Sequence, residues 1–196
     1  MSVFLKRQIM FRQEKIIKPI NVIPKMAEWL LPETYLELGT ESCRNIYEVE
    51  KLSSPDMLIG VDINIRRKLN PSKFKLYEMT TNDFFLKMMS KEIILPIFDL
   101  VFIDASHESS QVLKDFWNVL PFVSEQGMII IHDTYPPSPK FLTKRFCFDS
   151  WKVPIKLKEY IKENKDCMFE LCTFPVPPGY TIIRKNKNHL KFKIGK

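Results

Sequence analysis

The sequence predicts an α/β fold in which helices cover both faces of a doubly wound, mostly parallel sheet. Short apolar runs alternate with segments of helical spacing along most of the chain, which is the order that right-handed crossover connections produce. The last third instead contains two strand-like runs, residues 167–174 and 180–185, joined by the short link PVPPG. So short a link forces these runs to pair antiparallel, so the sheet should end in an antiparallel strand.

Strands are predicted from short apolar runs bounded by turn residues. The strongest is FDLVFID at residues 98–104, because a nearly continuous apolar run is typical of a parallel strand covered on both faces. The other strands that precede the antiparallel pair are expected at residues 34–39, 57–63, 74–79 and 127–133.

Helices are predicted where apolar residues recur every three or four positions. Residues 21–31 carry Pro24 in their first turn, and Pro32 should end this helix. Asn82 or Asp83 is expected to cap a helix that runs through residue 89. The remaining helices are expected at residues 42–52, 109–123 and 155–164.

A chain of 196 residues is one domain's worth. We expect a helical arm over residues 1–32, a single domain over residues 33–186 and a basic tail over residues 187–196. The apolar positions Val3, Ile9, Ile16 and Ile17 indicate the helical character of the arm. The arm could pack on its own domain or on a second copy, so a homo-oligomer stays an alternative.

The composition excludes several classes of protein. With 45% hydrophobic and 27% charged residues, the chain resembles an ordinary globular domain rather than a disordered or fibrous one. No apolar stretch reaches the roughly 18–20 residues that crossing a membrane needs, and the basic N-terminal segment lacks the apolar core of a secretory signal. The 4 cysteines contain no CxxC pair, which favours reduced thiols. We therefore expect a cytoplasmic protein with no membrane partner.

The turn after the first strand indicates which cofactor the sheet edge could bind, since ligands of open α/β sheets bind beyond the carboxyl ends of the strands. A dinucleotide site needs several glycines in this turn, whereas ELGTESC contains only Gly39 and carries Glu37 and Glu41, whose charges would repel phosphate. A ligand with a ribose diol and a positive centre fits better, and S-adenosylmethionine is such a ligand. Asp62 stands 23 residues after Gly39, near the offset at which an acid binds ribose hydroxyls.

Four segments in this order carry a family resemblance: YLELGTESC, IGVDIN, FDLVFIDASH and MIIIHDT. Over roughly residues 35–185 the chain resembles the class I S-adenosylmethionine-dependent methyltransferases, which implies a Rossmann-like, seven-stranded sheet. Cys43 departs from the family's pattern, because it stands where a second glycine is usual. The cofactor-binding residues that the resemblance implies are Glu37, Gly39, Thr40, Asp62, Thr81 and Asp104.

The segment IDASHESSQVLKD resembles the D-x-x-H pattern of small-molecule O-methyltransferases such as macrocin O-methyltransferase and relatives of cephalosporin hydroxylase. This resemblance implies two catalytic residues, Asp104, which helps to bind a divalent metal, and His107, which acts as general base. The chemistry agrees, since a hydroxyl must lose its proton as it is methylated and histidine titrates near neutral pH.

Asp133 ends the fifth strand and is predicted to share the metal with Asp104, because neighbouring strand ends lie close together in a parallel sheet. Two carboxylates suit Mg²⁺. An additional imidazole, from His132, would shift the preference toward Mn²⁺ or Zn²⁺. Thr134 stands where catechol O-methyltransferases carry an asparagine.

The predicted function is methyl transfer from S-adenosylmethionine to a hydroxyl oxygen of a small-molecule acceptor, with residues 135–140 and the arm covering that acceptor. The net charge of +7 leaves open a methyltransferase that acts on RNA or another polyanion, although aromatic and basic residues do not interleave as they do where bases are stacked. The departures at Cys43, His132 and Thr134 leave open a protein that binds the cofactor without turnover.

Overall fold

A seven-stranded sheet forms the centre of the molecule, with the strand order β3-β2-β1-β4-β5-β7-β6. The computed structural model describes residues 18–66 and 73–185, and the statements below refer to these residues. The strands are β1 (Thr34–Leu38), β2 (Met57–Asp62), β3 (Phe74–Glu78), β4 (Phe98–Ile103), β5 (Val123–His132), β6 (Phe169–Phe174) and β7 (Tyr180–Lys185).

Helices pack against both faces of this sheet. They are α1 (Ile23–Leu30), α2 (Arg44–Ser53), α3 (Thr81–Met89), α4 (Ser109–Val119) and α5 (Lys152–Glu163). The first two helices bury Ile23 and Ile46 in one apolar core. The other three bury Phe84, Phe116 and Leu157 in a second core on the opposite face. The doubly wound architecture predicted from the sequence is therefore confirmed.

The pairing of the strands also agrees with the prediction. β1 to β5 pair parallel with one another, while β7 pairs antiparallel with both β5 and β6. The chain proceeds outward from β1 to β3 and then returns to the other side of β1 to form β4. This reversal of strand order opens a crevice beyond the carboxyl ends of β1 and β4, where ligands of open α/β sheets bind.

Two local predictions are wrong. The helix predicted at residues 109–123 ends at Val119, because Leu120–Phe122 form a 3-10 turn around Pro121 and Val123 already belongs to β5. Thr80, rather than Asn82 or Asp83, caps α3, since its hydroxyl accepts a hydrogen bond of 3.1 Å from the Asp83 amide. A threonine one position before the helix offers this oxygen at the spacing that a cap requires.

Some predictions fall outside the described residues. The positions Val3, Ile9, Ile16 and Ile17 of the arm and the basic tail at residues 187–196 are among them, so the arm and the tail stay predictions. The four cysteines are free, and Cys172 is exposed while Cys43 and Cys147 are buried. None of the helices in the described ranges has the length and apolar character needed to cross a bilayer.

Candidate active site

The turns after β1 and β4 touch each other at Gly39. Its φ of +94° favours glycine, and a Cβ built there would overlap the backbone carbonyl of Asp104. Hydrogen bonds hold this approach, from the Gly39 amide to the Val61 carbonyl at 2.7 Å and from the Asp104 amide to the Leu38 carbonyl at 2.8 Å. Gly39 therefore allows the ends of three neighbouring strands to meet.

Cys43 lies further along the same turn, at the position where the family pattern has a glycine. Its backbone is left-handed, with a φ of 56°, and its side chain is fully buried. A left-handed φ is costly for a residue with a Cβ, which gives the glycine of the pattern its physical reason.

Asp62 lies at the end of β2 and is held by the backbone around it. One carboxylate oxygen accepts the Glu41 amide and the other accepts the Asn64 amide, each at 2.8 Å. A carboxylate oxygen has more than one lone pair, so both oxygens can still accept a further hydrogen bond from a ligand. The backbone thus fixes an oriented acid at the edge of a cleft.

This cleft has a volume of about 230 Å³ and lies beyond β2, β3 and β4. We call it the cofactor cleft. Its lining includes Asp62, Thr81, Asn82, Ala105, Ser106 and Gln111. The structure therefore brings two of the predicted cofactor residues, Asp62 and Thr81, to one cavity.

A polar network stiffens one wall of the cofactor cleft. The Gln111 amide group donates to Asp115 at 2.8 Å and to Thr81 at 3.2 Å, and it also pairs with Asn82. Asp115 is fully buried, and burial raises the pKa of its carboxyl. Gln111 and Asp115 are not among the residues predicted from sequence, although two polar residues four positions apart in a helix with an apolar face were a usable signal.

Glu37 and Thr40 are also predicted cofactor residues, but neither lines the cofactor cleft. Glu37 is 1% exposed and accepts hydrogen bonds from the Tyr35 hydroxyl at 2.9 Å and from Asn45 at 3.3 Å. Burial raises the pKa of Glu37 to about 8 despite these donors, so its carboxyl is mostly neutral at pH 7. Thr40 is buried as well, and its hydroxyl has no hydrogen-bond partner among the described residues.

Two acids and two histidines meet beyond β4 and β5. The Nε2 atom of His107 lies 3.0 Å from Oδ2 of Asp133. The Nδ1 atom of His132 lies 3.0 Å from Oδ1 of Asp104 and 3.4 Å from Oδ2 of Asp133. Asp133 follows β5 in a left-handed backbone conformation, with a φ of 59°. The predicted proximity of Asp104 and Asp133 is therefore observed, and His107 joins them.

The four groups differ in how their charges are balanced. Burial disfavours the ionised form of Asp133, but hydrogen bonds from His107 and His132 outweigh it and hold the Asp133 pKa well below its usual value. Burial also disfavours the charged form of His132, yet the neighbouring Asp104 and Asp133 raise its pKa to about 10. The hydrogen bond to Asp133 raises the pKa of His107. His132 therefore places an imidazolium charge beside both carboxylates.

The donor atoms of Asp104, His107 and Asp133 fit a single metal ion, since all three lie within 4.8 Å of one another. Carboxylate and imidazole ligands each stand about 2.0–2.6 Å from the common divalent ions, which matches such a spacing. His132 is not part of this set. Its Nδ1 faces the two carboxylates, and its buried Nε2 has no hydrogen-bond partner among the described residues. His107, and not His132, is thus the imidazole placed to act as a ligand.

A second cavity of about 380 Å³ opens above this cluster, and we call it the acceptor cavity. Its walls include Lys18, Pro19, Phe141, Arg145, Phe146 and Pro178. Residues 135–140 were expected to cover an acceptor, but the wall is formed by the residues that follow them. Lys18 and Pro19 belong to the predicted arm. Thr134 is buried and accepts a hydrogen bond from the Thr181 hydroxyl at 2.9 Å, outside both cavities.

The two cavities share one wall, formed by four consecutive residues after β4. Ala105 and Ser106 line the cofactor cleft, while Asp104 and His107 line the acceptor cavity. The Nδ1 atom of His107 lies 3.2 Å from the Lys144 carbonyl, which attaches this wall to the segment that carries Arg145 and Phe146.

Comparison with known proteins agrees with this architecture. A family model described as a methyltransferase domain matches residues 48–134. No protein with a curated function matches the sequence. A caffeoyl-CoA O-methyltransferase candidate from Staphylococcus aureus has 14% sequence identity and a TM-score of 0.64, with 95% of this chain and 93% of that one covered.

Two further solved structures are similar. The O-methyltransferase TomG from Streptomyces achromogenes, in complex with S-adenosylmethionine, has 12% identity and a TM-score of 0.62, with 92% and 85% coverage. The MycE methyltransferase of the mycinamycin biosynthetic pathway, in complex with Mg and S-adenosylhomocysteine, has 19% identity and a TM-score of 0.62, with 81% of this chain and 46% of MycE covered. The chain therefore has the Rossmann-like methyltransferase fold, and its resemblance to the class I S-adenosylmethionine-dependent methyltransferases is confirmed.

Proposed function

We propose that this protein transfers a methyl group from S-adenosylmethionine to a hydroxyl oxygen of a small-molecule acceptor. The observation that carries the proposal is the shared wall at residues 104–107. One side of this wall faces the cofactor cleft, whose lining includes Asp62, Thr81 and Gln111, and the other faces a cavity with acid–base groups. A methyl donor in the first and a hydroxyl in the second would meet at this wall.

The cofactor cleft suits the adenosine part of S-adenosylmethionine. Asp62 is oriented to accept hydrogen bonds from two ribose hydroxyls, and Thr81, Asn82 and Gln111 offer donors and acceptors for the edge of a base. When bound, S-adenosylmethionine supplies a methyl group on a positively charged sulfur. The structure of TomG with S-adenosylmethionine supports this choice of cofactor.

A divalent cation would be held by Asp104 and Asp133, with His107 as a third donor within reach. Such an ion lowers the pKa of a bound hydroxyl and orients it. Mg²⁺ agrees with the two carboxylates and with the Mg in MycE, while the imidazole of His107 also admits Mn²⁺.

His107 is the proposed general base. Its Nδ1 lies 3.2 Å from the Lys144 carbonyl, which accepts the Nδ1 proton, so in the neutral ring the lone pair is on Nε2, the nitrogen that faces Asp133. After Nε2 takes the hydroxyl proton, the carboxylate of Asp133 at 3.0 Å stabilises the imidazolium.

We place the enzyme in the cytoplasm, as expected from its composition.

Calorimetry with S-adenosylmethionine and S-adenosylhomocysteine tests the first half of the proposal. Both should bind at micromolar to submillimolar concentration, and a lack of binding to either at millimolar concentration would rule out a methyltransferase. Turnover of a panel of hydroxyl compounds, with and without EDTA, tests the second half. If the cofactor binds and no hydroxyl compound or RNA is methylated, the protein is a binding protein that has lost turnover.

The His107→Ala variant separates the two roles of His107. As the base, it should be required for turnover while the affinity for S-adenosylhomocysteine and for Mn²⁺ stays unchanged. A parallel loss of Mn²⁺ binding, measured by calorimetry, would assign His107 as a metal ligand instead.

A further inference from the structure

The two ends of the acceptor cavity carry different charged groups. At its inner end the carboxylates of Asp104 and Asp133 are paired with the imidazole of His132. Lys18 and Arg145 are exposed and line the same cavity, so their positive charges stand at its outer rim. An acceptor whose hydroxyl reaches Asp133 would extend past apolar walls toward these two cations.

Lys18 and Arg145 differ from nearby cations in their charged neighbours. Lys144 pairs with Glu108 at 3.6 Å, and Lys152 pairs with Asp149 at 3.2 Å. Within the described parts of the chain, no such ion pair is formed by Lys18 or Arg145. The guanidinium of Arg145 instead lies 6.0 Å from the centre of the Phe146 ring, within the range of a cation–π contact. This contact holds the guanidinium against the cavity wall while its N–H donors stay available.

The space between the two ends suits a molecule with one ring. The cavity of about 380 Å³ is at the small end of the range for ligand sites, and Phe141 and Phe146 give it aromatic walls. Two cations that form no ion pair with the described residues, at the rim of a small aromatic-walled cavity, are the arrangement that recognises an anionic substituent, because guanidinium pairs in a fork with carboxylate or phosphate.

We propose that the methyl acceptor carries a carboxylate or phosphate group, which Lys18 and Arg145 bind while the hydroxyl of the acceptor faces Asp104, His107 and Asp133. This inference rests on the proposed function, since it concerns the specificity of the same site.

Three ring compounds of similar shape test the inference without knowledge of the true acceptor: benzoate, phenyl phosphate and benzamide. Each is titrated into the protein loaded with S-adenosylhomocysteine, and binding is followed through the backbone amide signals of Phe141 and Phe146 in ¹H–¹⁵N spectra. At least one of the two anions should bind about tenfold or more tightly than benzamide, since a hydrogen-bonded charge pair contributes roughly that factor. Whichever of benzoate and phenyl phosphate binds more tightly shows whether the rim prefers a carboxylate or a phosphate.

Three variants give the test its controls. Lys18→Gln and Arg145→Gln should each reduce the preference for the anion, and the double variant should abolish it. Lys140→Gln removes an equal charge from an exposed position in the same loop that does not line the cavity, so the preference should survive. Arg145→Lys keeps the charge and should retain part of the preference.

Equal affinity for the anions and benzamide would overturn the inference, as would an equal loss of preference in Lys140→Gln. Tighter binding of a ten-nucleotide oligouridylate than of phenyl phosphate, weakened alike by all three glutamine substitutions, would overturn it in favour of a polyanion surface. None of these outcomes affects the binding of S-adenosylhomocysteine, so a failure here is distinguishable from a failure of the proposed function. If S-adenosylhomocysteine itself does not bind, the same titrations on the unloaded protein still decide whether the rim selects anions.

Discussion

Two buried carboxyl groups at the same edge of the sheet behave in opposite ways. Glu37, the next-to-last residue of β1, has a pKa raised to about 8 by its burial. Asp133, directly after β5, is also buried, but its pKa lies well below the ordinary value. The neighbours make the difference, since Glu37 meets a hydroxyl and an amide whereas Asp133 meets two imidazoles.

The contrast separates the two halves of the candidate site. The β1 side, next to the cofactor cleft, contains the neutral Glu37 carboxyl and an Asp62 carboxylate that backbone hydrogen bonds hold in place, so it mainly fixes a shape. The β5 side, which forms the floor of the acceptor cavity, keeps charges that can bind a cation or move a proton. Substitutions on the β5 side should therefore act mainly on turnover, and those on the β1 side mainly on stability and cofactor affinity.

The largest effect should come from Asp133→Asn. This change keeps the shape of the side chain but removes the charge that faces His107 and a cation, so kcat should fall by about 10²–10⁴-fold, the range for loss of acid–base catalysis. The affinity for S-adenosylhomocysteine should stay within about threefold. Steady-state kinetics and calorimetry on the same preparation measure both quantities.

Asp56→Asn is the matched control, because Asp56 is exposed and lies outside both cavities. Its kcat should equal that of the unmodified protein. If Asp133→Asn weakened the binding of S-adenosylhomocysteine by as large a factor as it slowed turnover, the division of roles between the β1 side and the β5 side would be wrong.

Glu37→Gln should give the next largest effect, on stability. The pKa of Glu37 is about 8 in the folded protein and its ordinary value is 4.5, so between these pH values the folded protein retains a proton that the unfolded chain has lost. The associated stability is fully present below pH 4.5 and is lost as the pH rises toward 8, at about 1.4 kcal/mol per unit. Glutamine does not ionise, so its side chain has no such pH dependence. The free energy of unfolding of the variant minus that of the unmodified protein should therefore be about 3 kcal/mol larger at pH 7.5 than at pH 5.

Urea unfolding at pH 5, 6 and 7.5 measures this slope for both proteins. Tyr35 and Asn45 can still bond to the glutamine amide, since a hydroxyl can donate or accept. Parallel slopes for the two proteins would mean that Glu37 is ionised in the fold, and the contrast with Asp133 would disappear.

The cofactor half of the site was more predictable from sequence than the acceptor half. Gly39 directly follows β1, Asp62 ends β2 and Thr81 lies three residues beyond β3, so the identification of each strand also located the residue near its end. The strands themselves were predictable because apolar runs between crossover helices have few alternative structures. What the pattern could not show is that Glu37 turns toward Tyr35 and Asn45 instead of the cofactor cleft.

The acceptor half joins segments that are distant in sequence. The contact between His107 and the Lys144 carbonyl spans 37 residues, and Lys18 reaches the same cavity from the opposite end of the chain. No periodicity relates such positions, because irregular loops of this kind leave no repeating pattern. The hydrogen bond that joins His107 to Asp133 was hidden for the same reason, although the closeness of Asp104 and Asp133 followed from adjacent strands.

Two glycines offer a smaller test of the same division. Gly39 and Gly179 both have a φ near +95°, at +94° and +96°, and a Cβ at either would collide with backbone, that of Asp104 or that of Tyr135. Gly39→Ala and Gly179→Ala should each lower stability by about 1–3 kcal/mol. Only Gly39→Ala should also weaken the binding of S-adenosylhomocysteine, because it displaces the shared wall. Equal cofactor affinity in the two variants, measured by calorimetry at a temperature where both are folded, would contradict this.

The smallest effect should come from Asp62→Asn, which acts on the cofactor cleft alone. The asparagine keeps one oxygen for the Glu41 or Asn64 amide but loses the charge. The hydrogen bonds from the ribose hydroxyls to this side chain are therefore weaker than those to Asp62. The Kd of S-adenosylhomocysteine should rise about tenfold, since a hydrogen bond to a charged group contributes about 1.5–3 kcal/mol and part of it remains. At saturating S-adenosylmethionine, kcat should recover to within about threefold of the unmodified protein. The opposite pattern, an unchanged Kd with a reduced kcat, would assign Asp62 to the acceptor half of the site instead of the cofactor half.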